Sequence, residues 1–278
     1  PQNGTETHPA AGRIDRTRFR CNPQKGTALS KRILIAGESW TTHSIHVKGF
    51  DSFTTTEYNE GGAWLIAALE SNGWTVDYQP SPVAARAFPH TVEALGTYNC
   101  VLLSDIGANT LLLHPDTFIK SRVLPNRLHA IRDYVAAGGG LVMVGGYLTF
   151  QGIDAKGQYA GTAIEEVLPV TLMRGDDRVE SPQGVSPSVV DGGHPIVRDV
   201  TGTWPALLGY NRIMLKSAGS RIANAGDDPL LVAGSFGKGR SVAFASDCGP
   251  HWAPPLFVEW SGYAPLWNGI TEWAGSLR

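Results

Sequence analysis

Gly138-Gly-Gly-Leu-Val-Met-Val-Gly-Gly-Tyr147-Leu-Thr-Phe150 is the stretch that decides the fold. Its apolar centre, residues 141–144, predicts a buried strand, and Gly145-Gly146 predicts a tight turn at the carboxyl end of that strand. In open α/β sheets, ligands bind in the crevice beyond the carboxyl ends of the parallel strands. A hydrolase-type elbow presents its nucleophile at such a turn, and the residue presented here is Tyr147.

The segments around this stretch alternate between strand and helix patterns. Short apolar runs predict three more buried strands, at residues 31–37, 74–78 and 99–104. Helical spacing predicts helices at residues 61–72, 125–137 and 260–277. Two later runs, 229–234 and 241–247, are joined by Gly-Lys-Gly-Arg and predict a β-hairpin. The alternation predicts an α/β fold with a doubly wound, mostly parallel sheet flanked by helices.

Composition argues against several functional classes. The chain has 278 residues, a formal net charge of -2 and 42% hydrophobic residues, which is enough for a sizeable core. A net charge near zero gives no overall field that would attract nucleic acid or an anionic membrane. The sequence has no apolar run of about 18 residues, so no membrane-spanning segment is expected. The three cysteines, Cys21, Cys100 and Cys248, do not form the pattern of a disulfide framework.

Residues 1–30 differ in composition from the rest of the chain. They are polar, their second half is basic, and they lack the apolar region of a secretory signal. We therefore expect an N-terminal extension without a core of its own, followed by a single domain at residues 31–278. The absence of a signal and the sparse cysteines favour a cytoplasmic location.

The polar stretch from Thr41 to Thr56 is predicted to be a loop. It contains His43 and His46, two histidines three residues apart that could ligate a metal. Because no third ligand is in view, we favour an exposed polar loop over a metal site.

Polar side chains follow the predicted strands at their carboxyl ends, where they are expected to converge on the crevice. These candidate site residues are Glu38, Ser39, Asp105, Asn109, Gly146, Tyr147, Asp247, Cys248 and His251. Three of these positions have simpler alternatives. Asp105 and Asn109 are also common in plain turns, and His251 could be part of a rigid wall that bonds only to backbone.

Five stretches together resemble a known family. They are residues 37–40, 104–110, 138–153, 176–180 and 246–252 (GESW, SDIGANT, GGGLVMVGGYLTFQGI, DDRVE and SDCGPHW). They are similar to the glutamine amidotransferase-like proteins, a branch of the class I glutamine amidotransferase superfamily. The resemblance covers about residues 31–278, and it implies a flavodoxin-like fold with a central parallel sheet.

The resemblance also implies which positions would carry amidotransferase chemistry. In true class I enzymes, an elbow cysteine attacks the glutamine amide, and a histidine and a glutamate two residues apart activate it. The matching positions here are Tyr147, Ala245 and Asp247, with the oxyanion loop near residues 105–107. A phenol with a pKa near ~10 is a poor nucleophile at neutral pH. Ordinary glutaminase chemistry is therefore not expected.

Three hypotheses about function remain open. In the first, the crevice binds a small polar or sugar-like molecule without a catalytic triad or a cofactor. In the second, an enzyme of different chemistry uses Tyr147, Asp247 and His251 for acid–base catalysis, with Glu38 and Asp105 nearby, or holds a divalent metal. In the third, a homo-oligomer forms through C-terminal aromatic residues, namely Trp252, Trp260, Tyr263 and Trp267.

Overall fold

The structure is a computed structural model that describes residues 31–278, so the predicted extension at residues 1–30 lies outside the described residues. The strands are Arg32–Gly37 (β1), Ser39–Lys48 (β2), Asp51–Glu60 (β3), Thr75–Gln79 (β4), Cys100–Ser104 (β5), Gly140–Val144 (β6), Val170–Leu172 (β7), Arg178–Val185 (β8), Pro187–Val189 (β9), Leu207–Asn211 (β10), Ile213–Leu215 (β11), Ser220–Ala225 (β12), Asp228–Phe236 (β13) and Gly239–Phe244 (β14).

The α-helices are Ala63–Glu70 (α1), Ser81–Ala87 (α2), Val92–Leu95 (α3), Ala108–Leu112 (α4), Pro115–Lys120 (α5), Arg127–Ala137 (α6), Ala163–Val167 (α7), Pro255–Val258 (α8) and Tyr263–Ala274 (α9). Two single-turn 3₁₀ helices lie at Ile153–Ala155 and Pro195–Val197. Within the described residues, no helix has the length and apolar character needed to cross a bilayer.

An eight-stranded sheet forms the centre, in the order β4-β1-β5-β6-β14-β13-β12-β9. The pairs from β4 through to β14 are parallel, and β13, β12 and β9 extend the sheet with antiparallel pairs. The apolar residues of β1, β5 and β6 are fully buried, as expected for strands covered on both faces. The predicted α/β fold with a mostly parallel sheet is confirmed, and so is the hairpin of β13 and β14.

Helix α6 leads into the central strand β6; it begins at Arg127, two residues after the predicted start, and ends at Ala137 as predicted. The Asn126 side chain accepts hydrogen bonds from the backbone N–H groups of Leu128 and His129, which caps the first turn. Gly138, with φ +125°, ends the helix in a conformation that glycine adopts readily. On the C-terminal side, Trp267 of α9 packs against Phe244 of β14, with ring centroids 5.1 Å apart.

The prediction of a loop from Thr41 to Thr56 is wrong. Strands β2 and β3 form a long antiparallel hairpin there, with Ser39 opposite Glu60 at its base and Lys48 opposite Asp51 at its tip. The turn is the pair Gly49-Phe50, and Gly49 has φ +66°, as the first central position of a type II′ turn requires. Because side chains alternate between the two faces of a strand, His43 and His46 lie on opposite faces. They therefore cannot share a metal ion.

The C-terminal aromatic residues that were predicted to form a subunit interface pack in the core of the chain. Trp252, Tyr263 and Trp267 are buried within the chain, each no more than 3% exposed, and Trp260 packs partly buried against the same core. These side chains stabilise the fold and do not form an exposed surface. The prediction of a homo-oligomer thereby loses the surface that motivated it.

The guanidinium of Arg127 joins three helices of the fold. This side chain at the start of α6 is 1% exposed. It donates hydrogen bonds to the carbonyl oxygens of Ala84 and Ala85 in α2 and of Thr110 and Leu111 in α4, at 2.6–3.3 Å. No carboxylate is among these partners, and burial lowers the pKa of Arg127 to about 10.

We expect Arg127→Met to lower the free energy of unfolding by about 3 kcal/mol, because it keeps most of the volume but leaves buried carbonyls without donors. The matched control is Arg132→Met in the same helix, where the arginine pairs with the exposed Asp133. That substitution should change stability by about 0.5 kcal/mol or less. Urea denaturation of both variants measures the difference. Equal losses in the two variants would contradict this role of Arg127.

Candidate functional site

A cavity of about 550 Å³ lies at the carboxyl ends of the central parallel strands. It has acidic, aromatic and aliphatic side chains together in its wall. The lining residues are Glu38, Trp40, Gly61, Asp105, Tyr147, Leu148, Ile153, Asp247, Gly249, Pro250 and His251. Five of the candidate residues from the sequence therefore meet in one cavity: Glu38, Asp105, Tyr147, Asp247 and His251.

The other four candidates lie beside or beneath the cavity and have supporting contacts. The hydroxyl oxygen of Ser39 accepts a hydrogen bond from the backbone N–H of Ser81, at the start of α2 (2.7 Å). Asn109 donates its side-chain N–H to Gln158. Gly146 packs behind the carboxylate of Asp105, since a Cβ on this glycine would lie 3.0 Å from Oδ1. Cys248 is fully buried, with Sγ 3.7 Å from the hydroxyl of Ser104.

The end of β1 is shaped by a close approach to β5. A Cβ on Gly37 would lie 1.8 Å from the carbonyl oxygen of Ser104, so only glycine fits there. Glu38 follows with φ +49°, a left-handed conformation that costs energy for a residue other than glycine. The turn places the Glu38 carboxyl in the cavity floor, where it accepts a hydrogen bond from the Ser104 hydroxyl.

Asp105 has the same backbone conformation at the end of the neighbouring strand, with φ +42°. Its Oδ1 accepts a hydrogen bond of 2.8 Å from the backbone N–H of Leu148, in the loop after β6. The carboxyl group thereby connects two strand ends. Strained residues of this kind cluster at functional sites.

Burial, together with neighbouring negative charge, raises the pKa of two carboxyl groups of the floor, Glu38 and Asp105. Burial raises the pKa of Glu38 well above its ordinary range, and the nearby charges of Asp247 and Asp105 raise it further. Burial also raises the pKa of Asp105, followed by the charge of Asp247. Glu38 therefore keeps its proton to a higher pH than an exposed glutamate does.

His251 pairs with Asp247 across one turn of the loop that follows β14. Its Nδ1 lies 3.4 Å from Oδ2 of Asp247. Burial by itself lowers the pKa of His251, but the hydrogen bond and charge of Asp247, followed by the charges of Asp105 and Glu180, outweigh it and raise the pKa. The pair is already formed, so no movement of His251 is needed to bring the imidazole to the cavity.

Tyr147 is held as a neutral wall residue. Its hydroxyl donates a hydrogen bond of 3.1 Å to Oε1 of Glu180, and its ring meets the His251 ring edge-on at 4.3 Å. Burial raises the pKa of the phenol, and the charge of Glu180 raises it further. The chain after Tyr147 forms turns rather than a helix until Ile153, so the strand–turn–helix of a nucleophile elbow is not formed here.

The sequence interpretation missed two groups that support the site. Glu180 accepts hydrogen bonds from both Tyr147 and the indole N–H of Trp252 (3.0 Å). Asn211 is fully buried; its side chain accepts from the N–H of Gly146 at 3.0 Å and donates to Asp177 at 2.8 Å. The charged run at residues 176–180, which contains Asp177 and Glu180, was a sequence signal for this part of the site. No feature of the sequence around Asn211 indicates its role.

Three buried groups of the floor could hold a metal ion. Ligand atoms of Glu38, Asp247 and Cys248 lie within 4.8 Å of one another. Carboxylates and thiolates are ligands that zinc accepts, but they must be deprotonated first. Burial raises the pKa of the Cys248 thiol well above its ordinary value, as it does for Glu38. Metal binding would therefore have to displace protons from both groups.

Comparison with known proteins places the chain among relatives of the predicted family. A family model described as "Putative glutamine amidotransferase" matches residues 32–276. A search of curated proteins found no match. Two solved structures from Salmonella typhimurium, described as Cytoplasmic Protein STM3548 and Cytoplasmic Protein STM1381, are 42% and 46% identical, each with a TM-score of 0.85.

Both relatives are matched over nearly their whole length. The match covers 87% of this chain in each case, and 98% and 99% of the two relatives. A ThuA-like protein from Parabacteroides merdae, with 14% identity and a TM-score of 0.55 over 89% of this chain and 90% of its own, shares the fold alone. The family match and these two relatives show that the chain belongs to the glutamine amidotransferase-like family.

Proposed function

We propose that the cavity binds a small polar ligand with a positively charged nitrogen, and that the chain has no ordinary glutaminase activity. One observation carries the proposal: three carboxyl groups, of Glu38, Asp105 and Asp247, converge in the cavity floor. Among the lining residues, His251 alone provides a basic side chain. A cation would replace the repulsion between the carboxylates with attraction.

The walls of the cavity suit the rest of such a ligand. Trp40, Leu148, Ile153 and Pro250 present apolar surface above the acidic floor. Apolar walls with a few convergent polar groups are typical of small-molecule sites. An aromatic ring such as that of Trp40 also attracts cations through its π face. The proposed ligand therefore has an ammonium group and a compact apolar body.

A neutral sugar-like ligand is the nearest alternative. It could satisfy the carboxyl groups through hydrogen bonds, but it would not compensate their charge. A cation favours the ionised form of Glu38 and Asp105, so its binding should release protons. A neutral ligand should release few or none. The cytoplasmic location expected from the sequence belongs to this proposal too, because two relatives are described as cytoplasmic proteins.

We expect benzylamine to bind at least about tenfold more tightly than benzyl alcohol, a neutral molecule of the same shape, because only the amine carries a charge that the carboxylates attract. A tenfold difference in affinity corresponds to about 1.4 kcal/mol. Isothermal titration calorimetry in two buffers with different ionisation enthalpies measures both affinity and proton release. Asp247→Asn should weaken benzylamine binding, whereas Asp191→Asn, at an exposed position, should not. Equal affinity for the amine and the alcohol would exclude the cationic ligand.

A second candidate function is proton transfer on a small molecule. It is favoured by the left-handed backbone at both Glu38 and Asp105, since strain of this kind persists where function requires it. Glu38, with its raised pKa, is suited to act as a general acid, and His251, paired with Asp247, is suited to accept and return a proton. A zinc ion on Glu38, Asp247 and Cys248 would add a Lewis acid to this site.

The metal version of this second candidate has a direct test. Elemental analysis of the purified protein and a titration with zinc should show one bound ion per chain, and Cys248→Ala should abolish it. Cys100, the other cysteine in the described residues, is fully buried in β5 and is not part of this cluster. No affinity for zinc in the unmodified protein would remove the metal from the proposal.

Ionisation of Glu38 should lower the free energy of unfolding at neutral and alkaline pH, because the buried site disfavours the charged carboxylate. Because its pKa in the folded state lies above the ordinary 4.5, the proton it keeps adds stability that is fully present below pH 4.5. That stability is lost as the pH rises through the folded-state pKa. Glu38→Gln has no such proton to lose, and its amide oxygen can still accept from Ser104.

We therefore expect Glu38→Gln to be more stable than the unmodified protein at pH 8, by about 1 kcal/mol. The advantage should shrink toward pH 4. Urea denaturation at several pH values measures it, with Glu57→Gln in the exposed hairpin as the control that should show no such trend. A Glu38→Gln variant that is less stable at pH 8 would contradict the raised pKa.

A further inference from the structure

Gly61, the residue that follows β3, lies in the cavity wall beside two of the lining side chains. A Cβ on Gly61 would lie 2.9 Å from Oε2 of Glu38 and 3.1 Å from Cζ3 of Trp40. The Glu38 carboxyl and the Trp40 ring are therefore neighbours across one small space. We call this space, bounded by Glu38, Trp40 and Gly61, the Gly61 corner.

The backbone at Gly61 does not itself require glycine. Gly61 is not among the residues with positive φ, so its conformation is open to residues with side chains. Its N–H donates to the carbonyl oxygen of Glu38 at 2.8 Å, a hydrogen bond that any residue except proline can make. What glycine contributes here is space, because a Cβ would fill part of the corner.

Oε2 of Glu38 is an acceptor that the protein leaves open. Glu38 is 4% exposed, and its other carboxyl oxygen, Oε1, accepts a hydrogen bond from the Ser104 hydroxyl. Within residues 31–278, no N–H or O–H group donates a hydrogen bond to Oε2. A buried acceptor of this kind costs energy until a donor reaches it. The Gly61 corner thus combines an open acceptor with room for a small donor.

We propose that the Gly61 corner selects primary ammonium groups over methylated ones, and that Gly61 determines this selectivity. The inference rests on the proposed binding of cations in the cavity. A primary ammonium group has three N–H donors, and the carboxyl groups of Asp105 and Asp247 lie in the same cavity as that of Glu38. An N–H donor approaches a carboxylate oxygen to ~2.8 Å, whereas a carbon stays at least ~3.3 Å away.

Methylation of the ligand nitrogen removes donors and enlarges the group at the same time. A trimethylammonium group has no N–H, so Oε2 of Glu38 would remain without a donor when the ligand is bound. Its methyl carbons would also have to fit between that oxygen and the ring of Trp40. The two kinds of group carry the same charge, so attraction by the carboxylates alone does not distinguish them.

The test compares benzylamine with benzyltrimethylammonium by isothermal titration calorimetry. The two probes share the aromatic body and the single positive charge. We expect benzylamine to bind at least about tenfold more tightly, as a tight pocket discriminates against added carbon atoms. Gly61→Ala should weaken benzylamine binding by about tenfold and affect benzyltrimethylammonium much less, because only the amine needs close access to Oε2 of Glu38.

Gly192→Ala is the matched control. Gly192 lies in an exposed turn, it has no positive φ, and a Cβ on it would have no atom within 4 Å. The substitution should leave both affinities unchanged. Circular dichroism and thermal melting of Gly61→Ala and Gly192→Ala show whether each variant is folded.

Glu38→Gln tests the corner without adding a side chain to Gly61. Its amide oxygen can still accept from Ser104, but its amide nitrogen then faces the corner as a donor, where the ammonium group needs an acceptor. We expect the preference for benzylamine over benzyltrimethylammonium to fall toward one in this variant as well.

Equal affinities of the unmodified protein for the two probes would overturn the proposal. So would a preference that is undiminished in folded Gly61→Ala or in Glu38→Gln. In each of these cases benzylamine can still bind more tightly than benzyl alcohol, so cation binding would stand while the selectivity of the corner is lost. If benzylamine instead binds no better than benzyl alcohol, the proposed function fails and this inference fails with it.

Discussion

The close contact between the ends of β1 and β5 is the constraint on which the site depends. The space between Gly37 and the carbonyl of Ser104 has no room for a side chain. The backbone must therefore turn sharply at this point, and Glu38 takes a left-handed conformation as a result. The neighbouring strand end repeats the conformation at Asp105. Two carboxyl groups thus leave the sheet side by side and face the same cavity.

The residues around these two carboxyl groups fix their positions through hydrogen bonds and do not neutralise their charge. Asp105 is fixed by the backbone of Leu148, and Ser104 donates to Glu38. Asn211 and Asp177 hold the loop after β6 through hydrogen bonds to Gly146, Gln151 and Gly152. Arg178, a nearby basic residue outside the cavity lining, pairs with Asp176 and lies over the ring of Tyr147 at 4.9 Å. The negative charge in the floor is therefore left for a ligand.

The sheet and the cavity location could be predicted from the sequence, because both depend on local patterns. Buried parallel strands are continuous apolar runs, and their carboxyl ends mark the crevice. The hairpin was missed because both of its faces are exposed, so it has no alternation of apolar and polar residues. Gly49 between two β-branched segments was the available signal. Asn211 could not be found because its partners lie far away along the chain, and contacts of that kind arise only from the fold.

The base of the hairpin of β2 and β3, here called the arm, is hydrogen-bonded to Glu38 in the floor of the cavity. The carbonyl oxygen of Glu38 accepts hydrogen bonds from the N–H of Gly61 (2.8 Å) and the hydroxyl of Tyr78 (2.9 Å). Glu38 precedes the arm and Gly61 follows it, so a change in the direction of the arm acts on the backbone that carries the buried carboxyl. Thermodynamic linkage makes such coupling reciprocal. Whatever free energy a ligand transmits from the floor to the arm, a restraint on the arm returns to the ligand as affinity.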